Sequence, residues 1–209
     1  GAGQRVRDDG PQRHLEKEGT PTMGGLLIVG AAVVAAVLGQ LWVAREVTLE
    51  LGMLLAVTLG FACIGAADDW MKINRGRSLG LRARQKLVFQ LIVSVAFAYA
   101  LVGQRAVEAA SGNPGAGPLT LGWAVLWVAG LVFTSNAVNL SDGLDGLASG
   151  LCAVASAGFV VLAVRAGDQP AAILATALTG ACVGFLFYNR HPARIFMGDV
   201  GALALGGGL

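Results

Sequence analysis

Residues 24 to 44, GGLLIVGAAVVAAVLGQLWVA, run for twenty-one positions without a charged side chain. A helix of that length, rising about 1.5 Å per residue, crosses the roughly 30 Å of hydrocarbon in a bilayer. The same reading extends along the chain. Uncharged runs cover Leu51 to Ala67, Leu87 to Val102, Leu119 to Leu140 and Ala171 to Tyr188, and the run from Leu144 to Val164 carries only Asp145. Six spans follow. They are expected to be helical, because open sheet edges leave backbone groups unsatisfied in lipid and the runs lack the alternation of a barrel strand. A composition of 55% hydrophobic and 13% charged residues, with a mean hydropathy of +0.67, excludes an ordinary soluble domain. The expected fold class is all-α: a polytopic transmembrane helix bundle of six complete spans, plus the start of a seventh in the apolar run from Val200 to Leu209.

The 209 residues open on Gly1 and stop inside that last run, so a single integral-membrane domain truncated at both ends is expected. The charged segment ahead of the first span lacks the pattern of a signal peptide. Counting Lys and Arg in alternate loops gives twelve on the side that includes residues 68 to 86, against three (Arg45, Arg105 and Arg165) on the other. The positive-inside bias puts the richer side in the cytoplasm. The net charge of +2 is too small to argue for nucleic acid. The basic residues from Lys72 to Lys86 read as topology signals or as holders of anionic headgroups or phosphates. Cys63, Cys152 and Cys182 fall within spans at no metal-ligand spacing, so neither thiol chemistry nor zinc is expected.

Four polar clusters break the apolar chain, all on the lysine-rich side: residues 17 to 25 (KEGTPTMGG), 68 to 72 (DDWMK), 136 to 146 (NAVNLSDGLDG) and 189 to 201 (NRHPARIFMGDVG). The first suits a tight turn and a hydroxyl-capped helix start. Asp68 and Asp69 repel one another at the end of the second span, where the helix dipole disfavours negative charge. A metal ion would relieve that repulsion, and so would Lys72, four residues on from Asp68, if the helix continues. Asn139, Asp142 and Asp145 recur every three residues and would share one helix face, with Gly143 and Gly146 beside them. Carboxylates at a span boundary point to function. The fourth cluster adds Asn189, His191 and Asp199, with flexible Gly198 and Gly201. A few carboxylates combined with substrate phosphates make a natural magnesium site, so a phosphorylated substrate handled at the cytoplasmic surface is the inference. An ion path or transporter is the competing class, but it needs polar groups spread through the spans.

The stretches GTPTMGG (19 to 25), DDWMK (68 to 72), NAVNLSDGLDGL (136 to 147) and NRHPARIFMGDVGALALGG (189 to 207) resemble, in order, those of the phospho-N-acetylmuramoyl-pentapeptide transferases. This is a branch of the polyprenyl-phosphate sugar-1-phosphate transferases. The resemblance implies a bundle of about ten transmembrane helices, of which this chain holds six and part of a seventh. It also implies a reaction in the bacterial inner membrane, with the lipid bilayer as a partner. UDP-N-acetylmuramoyl-pentapeptide and undecaprenyl phosphate give the lipid-linked muramoyl-pentapeptide and UMP. Asp199 is then a Mg2+ ligand, and Asp68 and Asp69 are catalytic residues beside the lipid phosphate, with a base or a nucleophile role open to them. Asn136, Asn139, Asp142, Asp145 and Asn189 belong to the nucleotide-sugar site. Lys17, Thr22, Lys72 and Lys86 meet phosphates. A transferase of the wider family using another UDP-sugar is the alternative, and a homodimer is left open. Two features depart from the family pattern: Ala202 stands where Ser is common, and the later histidine-rich loop does not occur by Leu209.

Overall fold

The computed structural model describes residues 21 to 75, 80 to 112 and 121 to 209. Seven helices follow one another among them: α1 (Gly25–Ala44), α2 (Leu49–Arg75), α3 (Ala83–Ala110), α4 (Leu121–Ser141), α5 (Leu147–Ala166), α6 (Gln169–Asn189) and α7 (Gly198–Gly208). The first six are each long and apolar enough to cross a bilayer. The chain is a multi-pass membrane protein. Its outer surface is apolar where a soluble protein would be charged, with Trp42, Tyr99, Leu121, Phe133, Leu140 and Val154 all exposed.

Local chemistry sets several helix ends. The α1 helix stops at Arg45 in the left-handed conformation, whose N–H reaches the Leu41 carbonyl at 3.1 Å. Gly167 ends α5 in the same conformation, without a side-chain penalty. Asp168 then caps α6 by accepting from Ala171 N at 3.0 Å, with Pro170 in the first turn.

What fills the middle is α7. From Val200 to Gly207 every residue is buried, and the helix packs against α1, α2 and α4. Lipid tails are as apolar as leucine, so helices in a membrane associate through close packing of small residues rather than through hydrophobic exclusion. The sequence GDVGALALGGG suits that position. A Cβ on Gly206 would lie 2.4 Å or more from the backbone of Thr134 and Ser135 in α4, and one on Gly207 would strike the Phe61 ring of α2 at 2.6 Å. Thr134 Oγ1 donates to the Gly206 carbonyl at 2.6 Å, adding a polar tie at the same crossing.

Three sequence expectations change here. The α2 helix does not end at Asp68 and Asp69 but runs to Arg75, so the two carboxylates lie more than a turn inside it, away from the negative end of the dipole. Lys72 does pair with Asp68, at 2.6 Å. The Asn139, Asp142 and Asp145 series does not occupy one helix face, because α4 ends at Ser141 and residues 142 to 146 form the turn into α5. Finally, no side-chain hydroxyl caps α1. Backbone from the segment before α7 replaces it: Gly24 N and Gly25 N donate to the carbonyls of Phe196 and Met197 at 2.9 and 2.8 Å, and Phe196 N donates to Pro21 O.

A carboxylate and lysine cluster at one end of the bundle

Asp199 stands in the first turn of α7, where the buried helix emerges at one end of the bundle. Gly198 before it has φ +76, a conformation that favours glycine, and a Cβ there would lie 2.6 Å from Asp69 Oδ2 and 3.3 Å from Thr22 Oγ1. Asp69 Oδ2 accepts from Val200 N at 3.0 Å, and Asp142 accepts from the Gly198 backbone. Two carboxylates thus satisfy donors that the start of α7 would otherwise leave orphaned.

Both oxygens of Asp199 are engaged from other helices. Asn139 of α4 donates to Oδ1 at 2.8 Å. Lys72 of α2 and Lys86 of α3 donate to Oδ2 at 2.8 and 2.7 Å. Lys72 also lies 3.7 Å from Asp69, and Lys86 lies 3.5 Å from Asp68. Asp68 Oδ1 accepts from Leu81 N at 2.7 Å, which ties α2 to the residues leading into α3. Gly80 permits this approach, since a Cβ there would meet the Asp68 carbonyl at 2.6 Å.

Asp68, Asp69 and Asp199 each place an oxygen within 4.8 Å of the others, and Asp68 and Asp69 are almost wholly buried. Three carboxylates face two ammonium groups, and Asp142 adds a fourth carboxyl whose acidity responds to Asp199 and Asp69. Burial is the largest cause that pushes the Asp142 carboxyl up to about 7, ahead of those two charges. The surplus of negative charge fits a divalent cation. All the donors are hard carboxylate oxygens, the set that magnesium takes.

The remaining candidate residues are placed differently. Asp145 accepts from Ala193 N at 3.2 Å and pairs with His191 Nδ1 at 3.0 Å, joining the turn before α5 to the loop after α6. Buried Asn189 accepts from Gly146 N and Ser149 Oγ, each at 3.1 Å, and donates to the Ile195 carbonyl at 3.0 Å, so its amide braces the same two segments. Asn136 donates to Gln90 Oε1 and to the Val132 carbonyl, each at 2.8 Å. Lys17 lies outside the described residues.

Sequence reasoning overlooked Gln90, Gly65 and the pairing of residues 21 to 25 with 196 and 197. Gln90 follows Lys86 by one helical turn, which is a signal in retrospect. Gly65 carries none: a Cβ on it would overlap the Asp199 carbonyl, a fact that only the crossing of α2 and α7 reveals.

Residues 51 to 209 match the model of glycosyl transferase family 4, and residues 17 to 29 match phospho-N-acetylmuramoyl-pentapeptide-transferase signature 1. Among curated relatives, the phospho-N-acetylmuramoyl-pentapeptide-transferase of Desulforudis audaxviator is 48% identical over 99% of this chain and 66% of its own length. Those of Bacillus pumilus and Bacillus subtilis are 43% and 44% identical over 99% of this chain, each covered over 64% of its own length. The chain thus spans slightly less than two thirds of these relatives.

Proposed function

The chain belongs to glycosyl transferase family 4, and from this we propose that the full-length protein is a magnesium-dependent phospho-N-acetylmuramoyl-pentapeptide transferase of the bacterial inner membrane. It moves the phosphosugar-peptide from UDP-N-acetylmuramoyl-pentapeptide to undecaprenyl phosphate at the cytoplasmic face, releasing UMP and forming the lipid-linked precursor used in peptidoglycan synthesis. The observation that carries this reading is the convergence of Lys72, Lys86 and Asn139 from three helices on the two oxygens of Asp199. Match of residues 17 to 29 to the branch signature supports the muramoyl-pentapeptide donor over another UDP-sugar.

In the transfer, an oxygen of the acceptor phosphate bonds to the sugar-bearing phosphorus as the bond from that phosphorus to the UMP oxygen breaks. Charge spreads over the phosphoryl oxygens, and stabilising it is the main task left to the protein. Asp199, with Asp68 and Asp69 at its side, would hold the magnesium ion. When bound, the ion supplies a Lewis acid for those oxygens. Lys72 and Lys86 stand among the carboxylates with their charges already oriented, and they can turn to phosphate when it enters. No base is required at neutral pH, since a phosphate monoester with a second pKa of about 6 is already mostly dianionic. An aspartyl intermediate, in which Asp68 or Asp69 would attack the sugar-bearing phosphorus in place of the lipid phosphate, is the second route, and for Asp68 it would require release of the Lys72 pair.

The test is labelled-UMP exchange into the donor by full-length protein in lipid nanodiscs. Exchange should require both magnesium and undecaprenyl phosphate. Asp199→Asn should lower transfer by at least about a hundredfold, the scale on which loss of one charge-stabilising group acts. Exchange without the acceptor lipid would favour the covalent route. Wild-type protein that forms no lipid-linked product under any of these conditions would end the proposal.

A further inference from the structure

Gln90 is fully buried on α3, and its Oε1 accepts from Asn136 Nδ2 of α4 at 2.8 Å. The same Asn136 nitrogen donates to the Val132 carbonyl, which orients the amide with its nitrogen toward α3 and makes the facing Gln90 atom the acceptor. This bond lies one turn deeper than the Asp199 cluster on both helices. Lys86 precedes Gln90 by four residues, Asn139 follows Asn136 by three, and each pair therefore shares a helix face. Lys86 and Asn139 then grip opposite oxygens of Asp199. The arrangement is a ladder with two rungs: Gln90 to Asn136 directly, and Lys86 to Asn139 through Asp199. Gln90 Nε2 and Ser94 Oγ, a further turn along, have no hydrogen-bond partner among the described residues, so Asn136 is what fixes the Gln90 amide. Within a membrane bundle, interhelical hydrogen bonds of this kind take a share of the work that hydrophobic burial does in water.

We propose that Gln90 is a positioning residue for the Asp199 site. By holding Asn136 it sets the separation of α3 and α4 at which Lys86 and Asn139 close on the two carboxylate oxygens. The inference rests on the reading of Asp199 as a cation-holding carboxylate.

The experiment uses full-length protein in detergent, with Mn2+ binding followed by electron paramagnetic resonance alongside transfer assays. Gln90→Leu should weaken Mn2+ binding by about ten- to hundredfold, the range for loss of a partner behind a ligand. It should raise the Mg2+ concentration for half-maximal activity. Should the leucine variant not fold, Gln90→Asn, which is too short to meet Asn136, carries the same expectation. Combining Gln90→Asn with Asn136→Gln restores the bond and should recover the lost cation affinity. Ser94→Ala removes an equally buried hydroxyl from the same face and should leave binding as in wild type. Wild-type Mn2+ affinity in Gln90→Asn, an equal loss in Ser94→Ala, or no recovery in the exchanged pair would each overturn the positioning role while leaving the transferase reading intact. A wild-type protein that binds no Mn2+ removes the reading of Asp199, and this inference with it.

Discussion

Asp142 shows how much the surroundings of one residue decide. Its carboxyl lies just past the end of α4, where burial, then the charges of Asp199 and Asp69, push it up to about 7 from the ordinary 3.8 against the pull of the Gly198 N–H and Lys72. The folded chain therefore keeps a proton that the unfolded chain gives up as pH rises from 3.8 to about 7. The stability linked to that proton is fully present below the unfolded value and is lost by the time pH passes the folded one. Asp142→Asn can still accept from Gly198 without carrying charge. In cation-free protein the Asn variant should unfold at a higher temperature than wild type near about pH 8, with the gap closing near about pH 4. Thermal unfolding in detergent reads this directly, and a wild type that is the more stable at the higher pH would refute it. A substrate-binding role for Asp142, as the family resemblance implies, would account for a carboxylate kept at a cost in stability.

Between elements, the decisive contacts are backbone on backbone. At the crossing of α1 and α7, a Cβ on Gly25 would overlap the nitrogen and Cα of Gly201, and neither of those atoms can swing aside. Gly25→Ala should therefore destabilise by about 1–3 kcal/mol or more, as overpacking does, and should shift Asp199 through the α7 backbone. Gly30 lies on the same helix with nothing within 4 Å of its would-be Cβ. Gly30→Ala should be neutral or stabilising by about 0.5–1 kcal/mol, the gain expected from removing glycine from a helix interior. Thermal unfolding of the two variants side by side checks the pair. Equal behaviour would mean that the α1 to α7 crossing is looser than described. The many glycines of this chain are therefore not equivalent: those at α7 crossings allow close approach, and others simply face open space.

For the molecule as a whole, the helix ends sort into two faces. The cluster end carries Asp68, Lys72, Lys86, Asn139 and Asp199, while the opposite end is held by Gln104, which donates to Glu50 at 2.7 Å and to Glu108 at 2.9 Å. By the positive-inside rule, the excess of Lys and Arg on the cluster side predicts that this end faces the cytoplasm. Single cysteines replacing exposed Arg84 and Arg105, in a background without Cys63, Cys152 and Cys182, test that orientation. A membrane-impermeant thiol reagent should reach position 84 only from the cytoplasm and position 105 only from the other side. Labelling in the reverse pattern would invert the topology and remove the site from the cytoplasmic face.

Hydropathy and charge determined, by sequence alone, the six spans, the side on which the polar clusters gather and the candidate carboxylates. Each of those properties is local: a run either is apolar enough for lipid or is not, and the lysine count needs no contact to be known. The three-residue spacing of Asn139, Asp142 and Asp145 misled, because periodicity cannot tell that a helix stops at Ser141 and that the next residues turn. Only the tertiary structure decided that Asp69 braces α7, that Asn189 ties two loops together and that Gln90 stands behind Asn136. Lys72, Lys86 and Asn139 reach Asp199 across 127, 113 and 60 residues of chain. Pairings so remote leave no local pattern. They are set by how closely glycine and alanine let α7 pass between its neighbours, which is a property of packed backbones rather than of any one segment.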